Sequence, residues 1–201
     1  MKEHMDKVHI GCGTVYLRGY INVDVPCPGT FLAADRPDLV ERYITDESDY
    51  YGRHKDNTVD VLRKGAMNQE YACDRYGSFH FIPCHDNSVG EILARSVFEH
   101  LSLSEAEKAL DEVKRVLTND GILRIDVPDH DETMKQFKIT GDDFYIRHLL
   151  GPRRTKYGFH CVSYTKDILK KFLDDNGFEY VREEPNIHYY PQFCFVFKRK
   201  V

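Results

Sequence analysis

Short apolar runs separated by polar, glycine- and proline-bearing stretches set the rhythm of this chain. They predict strands at about 7–10, 20–24, 69–73, 90–94 and 121–127, with two more at 178–183 and 192–199. Between the fourth and fifth strands the spacing becomes helical, and Ala106, Ala109, Leu110, Val113, Val116 and Leu117 form one apolar stripe. Ser104 and Glu107 have the spacing of a capping box at its start, and Gly121 follows its end. A second amphipathic helix is expected over 165–176, with Ile168, Leu169, Phe172 and Leu173 on one face and Gly177 as its stop. Glu184-Pro185-Asn186 and Tyr190-Pro191 read as turn material beside the last two strands, which are expected to pair antiparallel. The alternation as a whole predicts a single α/β domain over residues 1–201.

The first strand runs into Gly11-Cys12-Gly13, and the second ends on Asp24. Two glycines let backbone approach a ligand where a Cβ would clash. An acidic residue closing the neighbouring parallel strand is placed to accept hydrogen bonds from ribose hydroxyls. The dinucleotide fingerprint needs a third glycine where Tyr16 stands, and the acid lies closer to the glycines than the usual ~20 residues. NAD and FAD are therefore disfavoured, and a smaller adenosyl ligand fits better.

Further along, Ile82-Pro83-Cys84-His85-Asp86-Asn87-Ser88-Val89-Gly90-Glu91-Ile92-Leu93, Val97-Phe98-Glu99-His100-Leu101 and Gly121-Ile122-Leu123-Arg124-Ile125-Asp126-Val127-Pro128-Asp129 follow in order. With the glycine turn and the 163–181 stretch, these phrases resemble the class I S-adenosylmethionine-dependent methyltransferases, in particular the methyltransferase type 11-like group. The resemblance spans almost the whole chain. It implies a Rossmann-like sheet of seven strands, mostly parallel with a final antiparallel strand inserted beside the fifth, and helices on both faces. It implies S-adenosylmethionine as cofactor, with Gly11, Cys12 and Gly13 passing under its methionine and ribose and Asp24 on the ribose hydroxyls. Asp74 would meet the adenine amino group, or Ser78 or Phe79 would if the third strand is shifted. Arg95 would face the methionine carboxylate. The position two before the first glycine, acidic in that group, is His9 here, and the helix that normally follows the glycine turn has almost no room.

Two stretches exceed the minimal sheet, at about 25–67 and 130–160. Connections at the carboxyl ends of strands border the ligand crevice of an open α/β sheet, so both are read as walls or lids of the substrate side. Short helical pieces are expected at 38–43 and 57–62. Methyl transfer to a hydroxyl gains from a general base, for which histidine is suited. His100 and His130 follow strand ends, beside Glu99 and Asp129, and His160 lies before the final helix; these three are the candidate catalytic residues.

The net charge of -5 argues against a nucleic-acid footprint, although Arg153-Arg154 with Lys156 would suit an anionic acceptor. No apolar run reaches the 18 or so residues of a membrane span and no signal-peptide core is visible, so a cytoplasmic protein is expected. Six cysteines without a C-x-x-C pair read as small buried residues of a reducing compartment. His80, Cys84 and His85, or Asp129 with Asp131, are the sets that could hold a metal; neither has a full ligand pattern, and no metal is assigned. The expected activity is transfer of a methyl group to oxygen or nitrogen of a small-molecule acceptor such as a sugar, nucleotide sugar or secondary metabolite. The alternative is a non-catalytic S-adenosylmethionine-binding protein that serves a partner. The oligomeric state is left open.

Overall fold

The computed structural model describes residues 6–50, 70–151 and 158–200. Its main sheet has seven strands: β1 (Asp6–Ile10), β3 (Ile21–Asp24), β7 (Arg75–Tyr76), β8 (Val89–Arg95), β9 (Leu117–Pro128), β10 (Phe178–Glu184) and β11 (Gln192–Arg199). The strand order is β10-β11-β9-β8-β1-β3-β7, and β11 alone runs antiparallel, between β10 and β9. Chain direction reverses its lateral progress between β1 and β8, so the switch point lies at the carboxyl ends of those two strands.

The expected third strand is shifted. Tyr71–Cys73 (β6) pairs with Thr30–Leu32 (β4) in a separate two-stranded ribbon, and the edge of the main sheet is β7. Asp74 makes the crossing: its N–H donates to the Asn22 carbonyl at 2.7 Å, and its carboxylate accepts from the Asn22 N–H at 2.7 Å. A second small ribbon joins Tyr16–Leu17 (β2) to Ile44–Thr45 (β5). Helix α1 (Pro37–Tyr43) matches the expected piece at 38–43, whereas the piece at 57–62 and the Arg153-Arg154 cluster lie outside the described residues.

Helix α2 (Leu103–Val116) begins two residues earlier than expected. Ser102, not Ser104, is the N-cap, and Glu105 completes the capping box by accepting from the Ser102 N–H at 2.8 Å. Both serines precede a glutamate by three positions, so local spacing cannot choose between them. Burial does: Leu101 and Ala106 both pack into the core, the staple arrangement that accompanies a cap at Ser102. Gly121 is no helix stop either. It lies inside β9, where a Cβ would come within 3.0 Å of the Val89 carbonyl. Helices α3 (His130–Thr140) and α4 (Phe144–Leu150) fill the 130–160 connection, and α5 (Lys166–Asp175) is capped by Thr165.

Alternation along the strands separates two unlike faces. One carries Val8, Ile10, Ile125, Val127, Phe193 and Phe195 against the buried stripes of α2 and α5, and forms the main core. The other carries Lys7, His9, Asn22, Glu91, Arg95, Arg124 and Asp126. Apart from the exposed Lys7, these charges are buried and pair across the strands, Arg124 with Glu91 at 2.8 Å and Arg95 with Asp126 at 2.9 Å. With only a short ribbon between Gly13 and β3, this face meets Glu47 and Tyr50 among the described residues.

His9 belongs to that polar face. The Asn22 Oδ1 atom already accepts from the Leu17 N–H, so the His9 Nδ1 at 3.2 Å must donate to it, and Nε2 accepts the Tyr50 hydroxyl proton at 2.8 Å. Burial pushes its pKa from 6.5 down to about 4. The folded protein therefore keeps His9 neutral where the unfolded chain binds a proton. The resulting stability is complete above pH 6.5 and is lost as pH falls toward 4, by up to about 3 kcal/mol. Urea unfolding at steps between these limits should show a shallower pH slope in His9→Gln than in the wild type; equal slopes would refute the neutral, buried assignment.

Candidate functional site

The strand β1 ends at Ile10, and the chain turns through Gly11 at φ +67° and Gly13 at φ +51°, conformations open to glycine at no Cβ cost. Gly11 is packed tightly: a Cβ there would sit 2.4 Å from one Val97 methyl. Gly13 faces open space, with nothing within 4 Å of the same position. Beneath the turn lies Asp24, nearly buried, whose Oδ2 accepts the Gly13 N–H at 2.8 Å and whose Oδ1 accepts the Val25 N–H at 2.7 Å. Burial raises its pKa, and the backbone donors oppose that rise. Each oxygen keeps a second lone pair for a ligand hydroxyl. Cys12 contributes backbone only, because its thiol is buried toward the Ala72 carbonyl and pushed well above its ordinary pKa by that burial.

Asp74 and Arg95 are engaged elsewhere. The Asp74 carboxylate takes the Tyr16 hydroxyl and both nitrogens of Asn22, at the amino end of β7. The carboxyl end of that strand is followed by Gly77, whose N–H donates to the Asp24 carbonyl at 2.9 Å, and then by Ser78 and Phe79. A base stacked beyond the ribose would meet Ser78 and Phe79 there, the position expected if the third strand is shifted. The Arg95 guanidinium turns onto the polar face, 2.9 Å from Asp126 and 4.9 Å above the Tyr50 ring.

At the carboxyl end of β8 the chain turns on Ser96, which adopts φ +53°, and enters a short helical turn, Phe98–His100. This turn buries Glu99 and presents His100. The N–H groups of Cys161 and Val162 both donate to the Glu99 carbonyl, at 2.8 and 3.2 Å, and clamp the 160s against it. His160 is thereby brought to His100, their ring centroids 4.7 Å apart, with its Nε2 3.8 Å from Glu99 Oε1. Burial lowers the pKa of His160 to about 3 and also lowers that of His100, so both imidazoles are neutral at physiological pH. Burial raises Glu99 well above the ordinary carboxyl range. His130 is not part of the pair: it opens α3 with its Nδ1 2.8 Å from the Ser163 hydroxyl. His148 and Tyr190 join the cluster from α4 and the loop before β11, with His148 6.4 Å from His160 and 4.4 Å from Tyr190 between ring centroids. Neither residue was signalled by the sequence. Among the described residues, neither His80, Cys84 and His85 nor Asp129 and Asp131 form a ligand cluster. His80 instead lies 3.2 Å from the Glu105 carbonyl.

Residues 51–125 match a family model described as a methyltransferase domain. No curated protein matches the sequence. Among solved structures, the fold is shared with LepI in complex with SAM, at 12% identity and a TM-score of 0.53 over 99% of this chain and 44% of that one. It is shared with the PH0226 protein from Pyrococcus horikoshii OT3, at 14% identity and a TM-score of 0.52 over 100% of this chain and 84% of that one. The CurJ carbon methyltransferase is also similar, at 13% identity and a TM-score of 0.51, over 98% of this chain and 49% of that one. The chain thus spans less than half the length of LepI and CurJ. At these identities the likeness is one of fold. The methyltransferase-domain match covers residues 51–125, and the fold that holds this segment is the Rossmann-like one of those structures.

Proposed function

We propose that this protein transfers a methyl group from S-adenosylmethionine to an oxygen or nitrogen of a small-molecule acceptor. The observation that carries this reading is Asp24, held by two backbone N–H groups under a glycine turn whose outer side is open at Gly13. Such a carboxylate is oriented before any ligand arrives, and a ribose finds two fixed acceptors. Gly11, Cys12 and Gly13 would line the cofactor's path, Asp24 would hold its ribose hydroxyls, and Ser78 with Phe79 would flank its base. When bound, the cofactor supplies a methyl group made electrophilic by a positively charged sulfur. The protein's part is chiefly alignment and exclusion of water.

The acceptor side lies along Glu99, His100 and His160, because Val97 ties this turn directly to Gly11. Helices α3 and α4 wall the same end of the sheet. Neutral imidazoles suit an acceptor that must lose a proton. The negative net charge favours a small molecule over a nucleic acid, and no helix among the described residues is long and apolar enough to cross a membrane.

Asp24→Ala should weaken S-adenosylhomocysteine binding by about 1.5–3 kcal/mol, the scale of hydrogen bonds to a charged group. Titration calorimetry measures this directly, with Asp24→Asn as a control that preserves shape. Wild-type affinity in Asp24→Ala would overturn the ribose assignment. Transfer of isotopically labelled methyl from the cofactor across a panel of hydroxyl and amine acceptors tests the reaction itself; tight cofactor binding with no transfer to any acceptor would refute the enzymatic reading.

A further inference from the structure

We infer that Glu99, His100 and His160 form a binding site for a divalent transition-metal ion, at the acceptor side of the proposed methyl-transfer site. The first observation is an orphan. Glu99 is 1% exposed, and neither carboxylate oxygen has a hydrogen-bond partner among the described residues. A buried carboxyl group without partners is costly, and native proteins rarely leave one unexplained. The second observation is convergence. One ligand atom from each of Glu99, His100 and His160 lies within 4.8 Å of the others, the one such grouping among the described residues. Metal–ligand distances of about 2.0–2.2 Å need ligand atoms somewhat closer together, which side-chain rotations of roughly an ångström supply.

The surroundings are built as a metal site requires. His100 donates its Nδ1–H to the Phe159 carbonyl at 2.8 Å, which leaves the lone pair on Nε2. His160 turns its Nε2 toward Glu99, 3.8 Å from Oε1. Metal-binding histidines are oriented as His100 is, through the nitrogen that does not touch the ion. The clamp from Cys161 and Val162 to the Glu99 carbonyl fixes the two ligand-bearing segments together. Gly151 is held to glycine by the same packing, since a Cβ there would fall 2.8 Å from the His160 ring.

The donor set selects the ion. Two imidazoles and one carboxylate favour zinc, iron(II) or cobalt(II) over magnesium or calcium, which prefer oxygen ligands. Three protein ligands leave a coordination position open, as in catalytic rather than structural zinc sites. An acceptor hydroxyl bound there would lose its proton to solvent more readily, which is the task a free imidazole base would otherwise have. This role rests on the proposed function; the site itself does not.

The test uses the full chain freed of metal with a chelator and titrated with zinc or cobalt(II), with magnesium in parallel. Calorimetry should show about one zinc or cobalt per chain, with magnesium at least about 100-fold weaker. Glu99→Gln and His160→Ala should each weaken cobalt binding by about 100-fold or more and leave S-adenosylhomocysteine affinity within about threefold. Nitrogen-15 spectra of wild-type histidines during zinc addition give the same answer without substitution: His100 and His160 should shift first, ahead of His80 and His130. No binding of zinc or cobalt by the wild type, or binding indifferent to both substitutions, would overturn the site. Retained S-adenosylhomocysteine binding in that case leaves the methyltransferase reading standing, whereas its absence in metal-free and metal-loaded protein alike would strike that reading instead.

Discussion

Replacing Arg124 with methionine is expected to destabilise the protein by about 3–5 kcal/mol, the usual result of removing one partner from a buried ionic cluster. Arg124 sits at the centre of the polar sheet face and serves three carboxylates. Its guanidinium reaches Glu91 at 2.8 Å and Glu184 at 2.6 Å, and it also contacts Glu47. Methionine fills the same channel without the charge, so the three carboxylates are left to repel one another. Lys7, Arg182 and Arg95 remain as second partners of Glu91, Glu184 and Glu47, which places the loss in that range and not beyond it. The effect should also depend on pH. Burial alone would raise the Glu47 carboxyl, but Arg124 overrides this and holds it near 2, below the ordinary 4.5. Its contribution is therefore complete above pH 4.5 and is lost as pH falls toward 2. The gap between wild type and Arg124→Met should narrow over that interval. Urea unfolding at neutral pH and near pH 3.5 measures both; a loss under about 1 kcal/mol at neutral pH would show the cluster to be no more than surface pairing.

This polar face marks the boundary of what the sequence makes legible. Strand positions and the apolar face follow from alternation within each strand, a local signal that the chain states directly. Glu91 and Arg124 alternate with apolar residues in the same way, and by pattern alone they read as facing water. Their burial depends on partners far away in the chain, such as Arg124 with Glu91 and Glu184, and no local pattern reports it. The edge strand and the first turn of α2 moved for a related reason. Each had two local solutions, at 69–73 or beyond Asp74 and at Ser104 or Ser102, and tertiary contacts chose. The glycine turn and Asp24 were legible because the hydrogen bond that joins them, from the Gly13 N–H to the Asp24 carboxylate, links residues close in sequence. Glu99 and His100 were visible as polar residues beyond a strand end, and His160 as one before the last helix. Their meeting rests on two backbone hydrogen bonds from Cys161 and Val162 to Glu99, and it becomes apparent only in the fold.

The two glycines of the turn should respond differently to the same substitution. In Gly11→Ala the new methyl meets both γ carbons of Val97, at 2.4 and 2.9 Å, and the backbone is held at φ +67°. The left-handed conformation costs about 1–2 kcal/mol and overpacking a further 1–3 kcal/mol, for a loss of about 2–5 kcal/mol in stability. Relief of the clash pushes on Val97 and so on the turn that carries Glu99 and His100. Gly11→Ala combined with Val97→Ala removes the clash but not the backbone cost, and should recover part of the stability. Gly13→Ala has no neighbour within 4 Å and should lose only the backbone share of about 1–2 kcal/mol. Its methyl, however, would occupy the open side of the turn, where the cofactor is proposed to lie. Urea unfolding paired with S-adenosylhomocysteine calorimetry separates the two effects. Gly11→Ala should be the more destabilised protein, while Gly13→Ala should keep most of its stability and lose at least about tenfold in affinity, some 1.4 kcal/mol. Wild-type affinity in Gly13→Ala would place the cofactor elsewhere, and equal stability of the two variants would show that Val97 does not press on Gly11.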